Sequence, residues 1–134
     1  MKLCNETITI FNAGLDEETG YDTYMPTVIT GVSIFCEIAS TVDSSGLKAA
    51  NMFKIRIPID ADFSGKTYAT PAEYALNPKR RFTLQQGDII VRGKEKAAMD
   101  PAALQKKYGE IITVLGVTDN RRAPKEKHWK VVGK

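Results

Sequence analysis

Phe82-Thr83-Leu84-Gln85-Gln86-Gly87-Asp88-Ile89-Ile90-Val91-Arg92-Gly93 decides the fold: a β-prone triplet, a turn of Gln, Gly and Asp, and an apolar strand ending at a glycine. Further on come the apolar run 111–117, the polar turn Asp119-Asn120-Arg121-Arg122 and the closing run His128-Trp129-Lys130-Val131-Val132. Strand, tight turn, strand, helical excursion, long apolar strand, basic loop and last strand together make most of a small barrel.

Between these strands, Asp100 followed by Pro101, good helix formers, Lys106, Lys107 and Gly109 predicts a short helix over residues 100–108. Residues 111–117 are apolar at nearly every position, as a strand crossing the middle of a barrel or sandwich should be, and Gly116 marks a bend or bulge.

Towards the N-terminus, Thr7-Ile8-Thr9-Ile10-Phe11 alternates and predicts a first strand with Ile8 and Ile10 on one face. Residues 12–20 read as a hairpin loop, residues 24–30 as an extended run, and Gly31 as a break before Val32, Ile34, Cys36 and Ile38 share a face. Phe35 then falls on the opposite face. The Ser- and Gly-rich residues 40–50 predict a connection without regular structure. Residues 53–59 alternate most cleanly, with the apolar residues inward and Lys54, Arg56 and Pro58 outward.

Residues 60–81 form the longest excursion, with Thr70-Pro71-Ala72-Glu73 matching a helix-start capping box and Lys79-Arg80-Arg81 closing it as a basic knot. The expected fold is therefore mainly β: a single domain over residues 1–134, a small β-barrel or sandwich of about seven strands with one short α-helix and a long excursion loop. More helix in the excursion would make it α+β.

The 134 residues suffice for one core without staples. No leader-like or membrane-spanning run appears, and two cysteines, Cys4 and Cys36, suit a reducing compartment and read as buried thiols. The net charge of +3 is unevenly spread. Residues 1–46 carry seven acids against one base, a balance of −6, whereas residues 121–134 carry six bases against one acid, a balance of +5. Such surfaces either face solvent or pair between copies of the chain.

The residue pattern offers no catalytic or cofactor motif, so the expectation is a non-enzymatic protein without a cofactor. His128 is the single histidine and has no Cys/His partners at zinc spacing; the pair Asp60 and Asp62 lacks the remaining ligands of a calcium loop. His128 reads instead as a strand residue facing solvent or an interface. A basic barrel invites comparison with OB-type nucleic-acid binders, but core packing claims Phe53, Phe82 and Trp129, leaving Phe35 and a few tyrosines for stacking.

The succession Gly87-Asp88-Ile89-Ile90-Val91, then residues 108–122, then His128-Trp129-Lys130-Val131-Val132 resembles the small head–tail joining (head-closure, or stopper) proteins of tailed phages and prophages. The N-terminal half, with Gly20-Tyr21-Asp22-Thr23-Tyr24 and Cys36-Glu37-Ile38-Ala39-Ser40-Thr41, is similar to small uncharacterised proteins of Firmicutes prophage morphogenesis clusters. The helical insertion 94–108 departs from the shorter joiners.

The resemblance implies a β-barrel that assembles as a ring under the portal and adaptor, retains packaged DNA and docks the tail. The protein would then work in the host cytoplasm during assembly and in the virion neck. Lys79, Arg80 and Arg81 would meet DNA phosphates without reading sequence; Arg121, Arg122, Lys125 and Lys127 would form an inter-subunit basic surface, and Asp16, Glu17 and Glu18 its acidic counterpart. Charge reversal at Arg121 and Arg122 would then reduce assembly. Its partners would be portal, adaptor and tail proteins and further copies of itself, with no membrane. A tail-completion or minor capsid protein, or a small OB-like nucleic-acid-binding module, are the alternative readings.

Overall fold

The computed structural model describes residues 5–15, 22–43, 46–76, 80–122, 124–125 and 127–134. Ten elements follow in order: β1 (Glu6–Leu15), β2 (Asp22–Asp43), β3 (Gly46–Pro58), β4 (Thr67–Tyr68), α1 (Pro71–Leu76), β5 (Arg81–Phe82), β6 (Ile89–Arg92), α2 (Pro101–Tyr108), β7 (Ile112–Asn120) and β8 (His128–Gly133). Six strands close a barrel in the order β1-β2-β3-β8-β7-β6, and β4 and β5 form a separate parallel pair. The expected small barrel is the fold. Among the described residues there are eight strands and two short helices, the first of them starting at the capping box 70–73.

The barrel closes because β2 serves two partners. Its first half pairs with β1, from Leu15↔Asp22 to Glu6↔Val32, and its second half pairs with β3, from Ser33↔Arg56 to Asp43↔Gly46. Gly31 lies at the changeover with φ 96°, a conformation that only glycine adopts without strain. The glycine expected to break the strand instead bends it and lets it continue. The opposite seam uses a bulge between Val114 and Gly116 of β7, as the glycine there predicted.

Alternation sets the core. Ile8 and Ile10 of β1, Ile55 and Ile57 of β3, Ile90 of β6, Val114 of β7 and Val131 of β8 all point into the barrel and are buried. β1 is covered on both sides: Phe11 faces outward with Ile89 and Val91, and Leu104 of α2 seals this second cluster. Full burial of a leucine contributes about 2 kcal/mol, which anchors a helix only two turns long.

The α2 boundaries follow the sequence. The Asp100 carboxylate accepts from the Ala103 amide at 2.7 Å, and Gly109 ends the helix at φ 73° with its amide donating to Gln105. In α1, the Thr70 hydroxyl donates to the Glu73 carboxylate at 2.9 Å and accepts from the Glu73 amide at 3.3 Å, so the two residues expected as a capping box meet through the hydroxyl.

Three local expectations are corrected. Residues 40–50 were expected to be irregular, yet 40–43 and 46–50 continue the β2–β3 ladder through Ser40↔Ala49 to Asp43↔Gly46. Pro58 and Ile59 were expected outside and inside respectively, but Pro58 is buried and Ile59 exposed, because β3 ends there and the chain turns away. Cys36, expected as a buried thiol, is free and exposed: its partner Phe53 is the last β3 residue paired with β8, so Cys36 sits at the rim where the barrel wall ends. Cys4 lies outside the described residues.

Candidate functional site: the capped barrel end and the projecting arm

The excursion 60–81 returns to its own barrel. Phe63, Tyr68 and Phe82 gather around Trp129, with Phe63 stacked on Phe82 at 4.9 Å and Tyr68 tilted against Trp129 at 4.7 Å between ring centroids. These rings, with Ala61 and Leu84, extend the barrel core beyond its strands. Lys66 pins the excursion to β2, its ammonium donating to the Pro26 carbonyl at 2.7 Å and the Thr27 hydroxyl at 2.9 Å; burial lowers its pKa. Asp62, weighed with Asp60 as a metal ligand, accepts from the Ser64 amide at 3.0 Å and joins Thr30 by a backbone bridge. Among the described residues, no group of three or more His, Cys, Asp and Glu side chains is placed to hold a metal ion.

Arg121 covers the aromatic cluster. Its guanidinium lies 5.0 Å from the Tyr68 ring centroid and 5.2 Å from that of Trp129, and it forks onto Asp119 through Nε and Nη2 at 2.7–3.0 Å. The Arg121 hydrogen bonds hold the Asp119 carboxyl below its ordinary pKa. Arg121 thus has a carboxylate of its own and an aromatic bed, a role within the fold that sequence spacing did not reveal.

The remaining basic candidates fall in two segments. Arg122, Lys125 and Lys127 lie exposed in the β7–β8 connection, where the Lys127 carbonyl accepts from the Ile59 amide at 3.1 Å. Arg80 is exposed with φ 57°, and its carbonyl accepts from the Thr67 amide; Arg81 follows in β5, half-buried and opposite Thr67. β5 continues into Phe82, against which Trp129 packs, so the β4–β5 pair and the β7–β8 connection meet at one barrel end. Lys79 and the acidic triplet Asp16, Glu17 and Glu18 lie outside the described residues. His128 is half-buried, its Nε2 3.3 Å from the Asn120 amide nitrogen across the β7–β8 ladder.

Two polar clusters escaped sequence reading. Asp88 is fully buried and accepts from Asn12 Nδ2 at 2.8 Å, the Ala13 amide at 3.0 Å, and the Gln85 amide and Nε2 at 3.3 Å each. Burial pushes its pKa up, opposed by those hydrogen bonds. Asn12 completes the knot by exchanging hydrogen bonds with the Thr83 backbone at 2.6 and 3.1 Å.

On the other side of β1, Glu95 is held by the Lys107 ammonium, by the Tyr108 hydroxyl at 2.8 Å and by the Ala97 amide at 3.1 Å. The Lys107 and Tyr108 hydrogen bonds pull its pKa from 4.5 to about 2. Both clusters join chain segments more than ten residues apart and read as fastenings of the fold.

One feature extends past the barrel. β3 pairs with β8 only from Phe53 to Pro58, and β2 pairs with β1 only as far as Val32, whereas the β2–β3 ladder runs on for seven pairs from Glu37↔Met52 to Asp43↔Gly46. That stretch is a two-stranded arm roughly 20 Å long. Among the described residues, its outer edges have no ladder partner.

The structure therefore defines a class: a closed antiparallel barrel with a capped end and a projecting β-arm. Residues 3–134 match a family of unknown function (DUF6751), and the chain belongs to that family. No curated protein and no solved structure matches it.

Proposed function

We propose that the protein is a structural component of a tailed phage or prophage particle: a head–tail connector, or head-closure protein, that assembles as a ring under the portal. The observation that carries this reading is the projecting arm of β2 and β3. A two-stranded ribbon with both edges open is marginal alone in water and is a template for pairing with another chain. Strand addition from one copy to the next would satisfy those edges, and repetition of one heterologous contact closes a ring when the rotation allows it.

Charge layout supports the same reading. The acidic N-terminal half and the basic C-terminal segment are complementary between copies, although Arg121 is matched within its own chain by Asp119. Arg122, Lys125 and Lys127 therefore carry the proposed inter-subunit basic surface, facing Asp16, Glu17 and Glu18 of a neighbour. Arg80 and Arg81, with Lys79, are the proposed contact to DNA phosphates. Portal, adaptor and tail proteins are the proposed partners, and the virion neck the proposed location. Among the described residues, no helix is long and apolar enough to cross a membrane.

Quantitative mass spectrometry of density-purified particles, induced from a strain carrying the gene, tests the proposal. The protein is expected in the particle at a copy number matching the portal ring. Its absence from particles that contain portal, capsid and tail proteins would overturn the proposal.

A further inference from the structure

The barrel mouth away from the aromatic cap is built differently. Within the barrel, β3 runs from Phe53 at this rim to Pro58 beside the cap. Arg92, the last residue of β6, holds its guanidinium 5.7 Å from the centroid of the Phe53 ring. β3 and β6 are not neighbours in the barrel order, so this contact spans the mouth.

A cavity of about 170 Å³ opens here, lined by Ile90, Arg92, Tyr108, Glu110 and Ile112. Ile90 and Ile112 face each other across the β6–β7 ladder as buried members of the core and form its floor. Alternation along β6 puts Arg92 on the same side as Ile90, and Glu110 precedes Ile112 by two residues. Both charged side chains are exposed, so they stand at the rim above an apolar floor.

Arg121, at the capped end, shows how this chain satisfies such an arginine: it rests on Tyr68 and Trp129 and forks onto Asp119. Arg92 has the aromatic bed, and a ring beneath a guanidinium leaves the in-plane N–H donors for a carboxylate. Among the described residues neither Arg92 nor Glu110 enters an ion pair, although both line one cavity. A cavity of this volume is about 7 Å across, which leaves room for a small molecule between them. An anion alone would meet Glu110, a cation alone would meet Arg92, and an apolar molecule would pair with neither. A carboxylate and an ammonium on one carbon, with an apolar tail, satisfy all three parts of the site.

We propose that this mouth binds a free α-amino acid with an aliphatic side chain, its carboxylate on Arg92, its ammonium on Glu110 and its side chain on Ile90 and Ile112. An apolar cavity of about 150 Å³ holds benzene, so this one takes a ligand the size of leucine. A peptide terminus is a poorer match, because it carries one of the two charges and not both. This inference goes beyond the particle role and does not rest on ring assembly.

The test is titration of the isotope-labelled full chain with L-leucine, leucinamide and N-acetyl-leucine, followed by amide chemical shifts. Leucine at up to about 10 mM should shift amides centred on Arg92 and Glu110, with a Kd in the millimolar range or below. Leucinamide lacks the carboxylate and N-acetyl-leucine the ammonium, so each should bind about tenfold more weakly. Arg92→Gln should abolish the preference for leucine over leucinamide, and Glu110→Gln the preference over N-acetyl-leucine, each leaving the other in place. Both positions are exposed, and the amide spectra of the variants should show the barrel intact.

Absence of shifts with leucine at that concentration would overturn the proposal, as would equal affinity for the three ligands. Preferences that survive both substitutions would place the ligand elsewhere and contradict it as well.

Discussion

Asp88 and Glu95 show two opposite ways of using a carboxylate inside one small barrel. Asp88 is fully buried and surrounded by uncharged donors, so its ionisation is held in place by hydrogen bonds against the cost of desolvation. Asp88→Ala would leave the Asn12, Ala13 and Gln85 donors unmatched, and about 3 kcal/mol of stability should be lost, read as a lower urea midpoint at unchanged slope. Glu95 faces a cation instead, and its pKa falls to about 2. A depressed carboxylate stabilises the fold above its unfolded pKa and loses that contribution as pH falls, here between about 4.5 and about 2. Glu95→Gln should therefore flatten this acid-side slope in urea midpoints measured at successive pH values. Asp88, with its raised pKa, acts in the opposite sense, favouring the fold on the acid side and opposing it as pH rises through its folded pKa. Since Asp88 is present in both proteins, the difference between them isolates Glu95. Neither role was legible in the chain, because Asp88 meets Asn12 across 76 positions and Glu95 meets Tyr108 across 13. Closure of the barrel brings Asp88 to Asn12, and the turn of the chain through α2 brings Tyr108 back to Glu95.

At the scale of elements, local chemistry was readable wherever it was sufficient. Asp100 and Gly109 bound α2, Thr70 and Glu73 cap α1, and the alternation of Phe53, Ile55 and Ile57 gives the inward face of β3. The reading stopped where a residue has two uses. Gly31 marks a break in most strands, yet here it bends β2 so that one strand joins two partners. Residues 40–50 have loop-like composition, but the register inherited from Phe35↔Lys54 carries 40–43 and 46–50 on as a ladder. Arg121 looked like a surface charge because no local pattern foretells that Tyr68 and Trp129 will lie beneath it. The last strand pair supplies a sharp test of closure. A Cβ built at Gly133 would lie 2.4 Å from Ile112 Cγ2 and 2.9 Å from the Thr113 carbonyl oxygen, so β8 approaches β7 too closely for a side chain. Gly133→Ala should cost about 2 kcal/mol through overpacking and lower the thermal midpoint.

For the whole molecule, the proposed function gives the barrel and the arm separable tasks. The core clusters among the described residues lie in and around the barrel. Replacing residues 38–51 by a two-residue Asn-Gly turn should leave the thermal midpoint within a few degrees of the parent while abolishing assembly, measured as the mass of the largest species in sedimentation velocity. Collapse of the barrel itself would show that the arm belongs to the fold. The particle role is tested most directly by electron microscopy of lysates from an induced prophage with this gene deleted. Head closure predicts unattached tails and heads that have lost their DNA, both restored to joined particles by the gene supplied in trans. Intact, DNA-filled, tailed particles in the deletion lysate would contradict it.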